Sequence, residues 1–314
     1  MRKPIALVTR IDEVSEQEWR ALIAELLPEE SIQCFRDMSD IERKAAEIAI
    51  VANPDPAHVA ELSGLSWIHS LWAGVERLVA ELGVGAPPIV RLVDPELSRV
   101  MAEAVLAWTL YLHRDMPAYA RQQRDRVWIQ QPYRHPSRLT VGILGLGALG
   151  MAAAERLSQS DFAVKGWSRS PKDASGIECF SGDEGFDTLL GGSDVVVCLM
   201  PLTNETRGLL DKARFAVMKE GAALINFARG AIIVDTDLIA SLNAGHLSHA
   251  VLDVFQEEPL PAASPFWHHP KVTVLPHISA PTDPHTAAAI VANNIRAYRT
   301  TGQLPQTVDI RRGY

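Results

Sequence analysis

Three stretches of this sequence, INFARGAIIVD, LDVFQEEPLP and VLPHISAP, each put a polar side chain at or just past the end of an apolar run. Those side chains are Arg229, Glu258 and His277, with Glu257 as a competing acid beside Glu258. An imidazole near its ordinary pKa can give or take a proton at physiological pH. A carboxylate on its far ring nitrogen would fix the tautomer and favour the charged form. A guanidinium is a permanent, forked cation, suited to gripping a carboxylate and polarising a carbonyl. In an open α/β sheet ligands bind beyond the carboxyl ends of strands, so the stretches point to one site there. Singly, each residue has an ordinary reading as a core histidine, a solvated acid or a surface ion-pair partner.

A second constellation is GLGALG, which follows the apolar run VGIL and opens an Ala-rich helical pattern. Gly145 permits the tight turn, Gly147 lets backbone amides approach a pyrophosphate, and Gly150 allows close helix–strand packing. Ala148 and Leu149 then lie at the positive end of that helix, where the pyrophosphate would sit. Downstream, where an acid would normally hold the ribose hydroxyls, the chain reads WSRSPK. Arg169 offers a planar donor fork for a 2′-phosphate and a stacking face for adenine. Ser168 and Ser170 add hydroxyl donors, and Lys172 a point charge. NADP(H) is therefore the expected cofactor, with NAD(H) possible.

The elements that must position these residues fit two α/β units. The chain has 314 residues, long for one domain. Its 47% hydrophobic and 22% charged content is that of a globular protein. A net charge of -8 and the lack of a long basic run argue against nucleic-acid binding. Three widely spaced cysteines suggest neither disulfides nor zinc, and Cys198 reads as a buried small hydrophobe. The N-terminal apolar run, Ile5 to Val8, is too short for a signal peptide or membrane span, so a cytoplasmic protein is expected. His268 and His269 are read as neighbours on one strand, pointing to opposite faces and holding no metal.

IALVT, IQCF, EIAIVAN and WIHSL read as strands with helical segments between them. SEQE at Ser15 to Glu18 reads as a capping box ahead of the amphipathic WRALIAELL. From Pro95 to Trp128 most of the chain has helical periodicity, long enough for one helix running into a second domain. TVGILGLG, AVKGWS, DVVVCLM, AALINFA, HAVLDVF and VTVLPH then continue the alternation. The pattern TAAAIVANNIRAYRTTG is placed to return to the first unit. The expected division is residues 1–99 with 283–314, and an inserted unit over 100–282.

Taken together, SLWAGVERL, the glycine fingerprint, PLTNETRGLL, INFARG, LDVFQEEPLP, SPFWHHPKV, LPHISA and the terminal RRGY resemble the D-2-hydroxyacid dehydrogenase family over essentially the whole chain. The resemblance is strongest to its bacterial type A glyoxylate/hydroxypyruvate reductases. It implies two doubly wound parallel-sheet domains, one flavodoxin-like and one Rossmann, with an active site in the cleft and a homodimer. It implies reduction of a small 2-keto acid, by hydride from the nicotinamide and a proton from His277. It also assigns the histidine's partner to the Glu before Pro259, hence Glu258.

Further roles follow from the resemblance. Pro201, Leu202 and Thr203 look like the loop flanking the cofactor, Asp253 like the aspartate near the nicotinamide carboxamide, and Ala228 and His277 like cofactor neighbours. Trp128 resembles an aromatic residue that reaches across a dimer. In the SLWAGVERL loop, Ala73 and Gly74 let backbone amides approach a substrate carboxylate. Trp72 departs from the family's usual Gly and would narrow the pocket for small substrates, unless it is core packing. Trp267 is another aromatic candidate. Alternatives on the same fold are reduction of larger 2-keto acids, formate, phosphite or D-3-phosphoglycerate oxidation, and a non-catalytic NADP(H) sensor. A glutamine would stand in place of Glu258 in a formate dehydrogenase.

Overall fold

A computed structural model of the chain describes residues 2–310, and the terminal RRGY lies outside them. The chain divides into two compact units, one formed by residues up to Glu96 with those from Thr282 onward, the other by Leu97–Pro281.

In the first unit, strands β1 (Ile5–Thr9), β2 (Ile32–Cys34), β3 (Ile48–Ala52), β4 (Trp67–Ser70) and β5 (Ile89–Val90) pair in parallel in the order β2-β1-β3-β4-β5. That is the flavodoxin-like order. Helices α1 (Glu13–Leu26), α2 (Asp40–Ala45), α3 (Pro56–Glu61) and α4 (Glu76–Leu82) make the crossovers. Side chains alternate across the sheet. Ile5, Leu7, Ile48 and Ile50 pack with Trp19 and Ile23 of α1, whereas Ala6, Val8, Ala49 and Val51 pack with Val59 and Leu78 on the other face. Both faces are covered, which explains why β3 is buried at every residue.

The second unit holds β6 (Thr140–Leu144), β7 (Ala163–Trp167), β8 (Glu178–Phe180), β9 (Val195–Cys198), β10 (Ala223–Asn226), β11 (His249–Leu252) and β12 (Val272–Val274). All run parallel, in the order β12-β11-β10-β9-β6-β7-β8. This is the dinucleotide-fold order with one further strand, and its switch point lies between β6 and β9. Most of α5 (Pro95–His113), followed by α6 (Met116–Asp125), belongs to this unit. Met101, Ala102 and Val105 of α5, with Ala153, Ala154 and Leu157 of α7 (Ala148–Ser158), cover one sheet face. Residues of α8 (Gly182–Gly192), α9 (Lys212–Val217) and α10 (Asp235–Ala244) cover the other.

The last helix, α11 (Pro284–Thr301), packs Ala288, Val291 and Ile295 into the first unit's core. Its Asn294 lies 2.9 Å from Nε2 of the buried His69, whose pKa burial pushes down to about 4. Arg299 spans Glu30 at 3.0 Å and Glu47 at 2.5 Å, holding the helix to that unit ionically.

Several local expectations need correction. The predicted long helix is two, because Asp115 turns into the left-handed region (φ 55°) and Pro117, which the first turn of α6 accommodates, would break the interior of a continuous helix. Residues 127–135 are not helical, and Trp128 stands on that segment with 95% exposure. SEQE is not a capping box: α1 starts at Glu13, and Asp12 caps it by accepting from the Ser15 amide. The actual capping box joins Ser39 and Glu42 at α2. Two short strands, β5 and β8, lack the length that makes periodicity readable. His268 closes a 3-10 turn and His269 follows it, so the strand argument does not apply to them. His269 instead lies 3.2 Å from Asn243. Among the described residues no helix is long and apolar enough to cross a membrane.

Ile295 is fully buried in α11. Its replacement by Ala is expected to cost about 2–5 kcal/mol through lost burial and the residual cavity. A urea titration measures this, and an unchanged midpoint would show that α11 adds nothing to the first unit's stability.

Candidate active site

Arg229, Glu258 and His277 all follow the carboxyl ends of neighbouring strands, β10, β11 and β12 respectively. The structure brings Glu258, not Glu257, to the histidine: its Oε2 lies 2.7 Å from His277 Nδ1. Its Oε1 accepts from the Phe255 amide at 2.9 Å, so both oxygens are engaged. His277 sits in the left-handed backbone region (φ 55°), a conformation that costs a non-glycine residue about 1–3 kcal/mol and persists only where its surroundings impose it.

The electrostatics follow from the contacts. The hydrogen bond from Glu258, and the negative charges of Glu258 and Asp253, raise the pKa of His277 against burial and the opposing charge of Arg229. Burial pushes Glu258 up, but its bonds to His277 and the Phe255 amide and the nearby Arg229 charge outweigh this and hold it below its ordinary value. The pair therefore favours imidazolium with carboxylate. With Nδ1 committed to Glu258, the proton available for transfer is the one on Nε2.

Arg229 donates from Nη1 to its neighbour's carbonyl, Ala228, at 2.6 Å. The next residue is Gly230, where a Cβ would sit 2.0 Å from the Phe255 carbonyl carbon and 2.4 Å from the Gln256 nitrogen. Only glycine lets the Arg229 loop lie against the loop that carries Glu258. Asp253 is 2% exposed and accepts from the Ile278 and Ser279 amides at 2.7 and 2.9 Å. Asn226, fully buried, was missed from the sequence; its signal was a single amide closing the apolar run ALI.

The glycine loop fits a dinucleotide pyrophosphate. Gly145 has φ 104°, and a Cβ on Gly150 would lie 1.9 Å from the Gly145 carbonyl oxygen, so strand and helix meet too closely for any side chain. A Cβ on Gly147, by contrast, would meet nothing within 4 Å, leaving open space before α7. Gly147 caps α7 without a side-chain bond, so the helix's first amides are not taken up by a capping side chain. Ala148 and Leu149 begin that helix. Pro201, Leu202 and Thr203 follow β9, across the switch point, in a turn closed by Thr206 Oγ1 donating to the Pro201 carbonyl at 2.8 Å.

The WSRSPK corner is more internally bonded than its composition suggests. The Ser168 hydroxyl donates to the Ser170 carbonyl at 2.7 Å, and the Lys172 ammonium bonds the Leu146 carbonyl within the glycine loop. Arg169 lies 3.7 Å from Glu205, an acid the sequence did not single out.

In the first unit, Trp72, Ala73 and Gly74 follow β4. The Trp72 ring packs edge-on to Trp19 at 6.2 Å, and its amide donates to Ser70 Oγ at 3.0 Å. A small cavity of about 30 Å³ there is lined by Asn53, Ser70, Trp72, Gly74, Arg77 and Glu81, among others. Trp267 donates its indole N–H to the Pro261 carbonyl at 3.0 Å.

A sequence model of the D-isomer specific 2-hydroxyacid dehydrogenase NAD-binding domain matches residues 106–279. The chain belongs to that family. A glyoxylate/hydroxypyruvate reductase A of Yersinia enterocolitica is 36% identical over 306 residues, 95% of this chain and 96% of the relative. The same-named protein of Serratia proteamaculans is 37% identical over 306 residues, with the same coverage. Among solved structures, a D-isomer specific 2-hydroxyacid dehydrogenase of Xanthobacter autotrophicus in complex with NADPH and MES superposes with a TM-score of 0.92, at 37% identity over 100% of both chains. An NADPH-dependent glyoxylate/hydroxypyruvate reductase of Sinorhizobium meliloti with NADP and sulfate gives 0.91, at 32% identity and full coverage of both.

Replacing Glu258 with Gln removes the charge and the strongest bond that favour imidazolium. The His277 titration, followed by NMR of the imidazole, is expected to move to lower pH. A titration that stays in place would mean that Glu258 does not set the histidine's charge.

Proposed function

We propose that the protein is an NADP-dependent reductase of small 2-keto acids, glyoxylate and hydroxypyruvate first, yielding glycolate and D-glycerate. The observation that carries this reading is the Glu258–His277 bond beside Arg229, all beyond the carboxyl ends of adjacent strands. The relatives named glyoxylate/hydroxypyruvate reductase A support the substrate class. NADPH-bound and NADP-bound structures among the relatives, with Arg169 in the ribose corner, support the cofactor.

On this reading the cofactor supplies the hydride to the keto carbon. Arg229 binds the substrate carboxylate through its forked donors and polarises the carbonyl. His277 gives its Nε2 proton to the carbonyl oxygen as the hydride arrives, so a 2-hydroxy acid forms and the imidazole is left neutral. Glu258 keeps the ring oriented and favours its reprotonation. Gly145, Gly147, Ala148, Leu149 and Gly150 take the pyrophosphate at the start of α7, and Arg169 takes the 2′-phosphate. Ser168, Ser170 and Lys172 hold the corner that presents Arg169, through the bonds described above. Pro201, Leu202, Thr203 and Ala228 flank the cofactor, and Ala73 and Gly74 offer amides to the substrate carboxylate.

The second unit would thus hold the dinucleotide. We further propose a homodimer in the cytoplasm. The exposed apolar run Val127, Trp128 and Ile129 supports a second copy covering it, and the unpaired cysteines fit a reducing compartment.

Purified protein is expected to consume NADPH faster than NADH with glyoxylate and hydroxypyruvate. Arg169→Asp should lower kcat/KM for NADPH by about 10- to 100-fold, the loss of a charge-assisted phosphate contact, and invert the preference. Tight NADPH binding without turnover on these or larger 2-keto acids would remove the reductase reading in favour of a sensor. NADH preference in the unaltered protein would remove only the role of Arg169.

A further inference from the structure

Two buried polar side chains sit where β10 and β11 end. Asn226 is fully buried; its Nδ2 donates to the Arg229 carbonyl at 3.0 Å and its Oδ1 accepts from the Ala228 amide at 3.1 Å. It therefore staples both sides of the peptide that carries Arg229. One strand over, Asp253 takes the Ile278 and Ser279 amides with one oxygen each, stapling the two residues that follow His277. The brackets are themselves joined, because the Asp253 amide donates to the Asn226 carbonyl at 3.1 Å. We propose that Asn226 and Asp253 are positioning residues: a connected pair of side-chain brackets that sets the Arg229 loop and the His277 loop in one fixed register.

The physical argument begins with strain. His277 holds a left-handed backbone conformation that a histidine does not keep unaided. Beyond the end of β12 no ladder partner constrains it, and Ile278 beside it is 55% exposed. Two amides fixed to a buried carboxylate immediately after the turn supply the constraint. Asn226 suits the other loop because it must accept and donate at once, which an aspartate in its place could not do. Asp253 needs only to accept, from two donors, and a carboxylate does that best. Its charge also faces the imidazole, together with Glu258 and, in opposition, Arg229.

The two brackets predict different signatures. Asp253→Asn puts an amide N–H where an oxygen accepted, so one loop bond is lost and the negative charge disappears. The His277 titration should move to lower pH, and kcat should fall by about 100-fold, the usual consequence of misplacing a catalytic group by about an ångström. Asn226→Ser removes no charge. It should not move the His277 titration to lower pH, since a displaced Arg229 only relaxes its opposing charge, and it should raise KM for the keto acid several-fold. In Asn226→Ser NADPH affinity should stay within about twofold, since the glycine loop is untouched. Loss of NADPH binding in step with activity would indicate general unfolding and overturn the assignment.

The catalytic half of the inference rests on the reductase reading, and one measurement separates the two. In unaltered protein, hydrogen exchange at the Ile278 amide should be slow although the residue is 55% exposed. Slow exchange with no keto-acid turnover would keep the brackets and remove the reductase. Fast exchange, or wild-type kcat, KM and His277 titration in both variants, would overturn the brackets whatever the enzyme turns over.

Discussion

The site depends on the hydrogen bond between His277 and Glu258, whose loops leave two neighbouring parallel strands. Adjacent strands lie about 4.8 Å apart, so residues just past their ends can meet only if register and loop path are both held. The register is held by β11 pairing with β12, Ala250 to Val272 and Leu252 to Val274. The path is held by Glu258 turning back onto the Phe255 amide and by Asp253 gripping the residues after His277. Gly230 adds the third loop by letting it lie flat against Phe255 and Gln256.

An exposed ion pair is ordinarily worth little, and the His277–Glu258 pair is half exposed. Its value is chemical. By favouring imidazolium, the carboxylate extends to higher pH the range in which the ring is charged, and by occupying Nδ1 it leaves Nε2 as the nitrogen whose proton is free to transfer. Arg229 opposes the charge on the histidine, and Asp253 offsets that opposition from the buried side. The strained backbone at His277 is what the surrounding bonds hold in place, and a rigid, doubly covered sheet gives those bonds a fixed base.

At the cofactor corner, a similar balance operates at the surface. Arg169 has the charge and shape for a 2′-phosphate, yet in this structure it lies near Glu205. Both groups are well exposed, so the pair is screened and a dianionic phosphate can compete for the guanidinium. Lys172, read from composition as another phosphate ligand, instead ties its segment to the glycine loop. The corner is thus organised by its own backbone bonds, with Arg169 as the exposed cation it presents.

Much of this was legible in the sequence. Continuous apolar runs located the long strands, the spacing of GLGALG announced the strand–turn–helix, and the chemistry-bearing residues announced themselves by ending those runs. Those signals are local: period, propensity and residue type act over a few positions. What they could not decide was long-range. The choice of Glu258 over Glu257 was taken from the resemblance, because both are acids on one loop and only the fold says which reaches His277. Asn226 and Glu205 were invisible because a lone amide or acid has no pattern until its partners arrive from elsewhere in the chain. The split between α5 and α6 was hidden by helical periodicity that continues through Pro117. The longer elements, their order and the inventory of reactive groups follow from local sterics and hydrophobic pattern, which act within a few residues. Only the tertiary structure decided which groups meet, because hydrogen bonds of 2.7 to 3.1 Å depend on register and loop path set by the packed sheet.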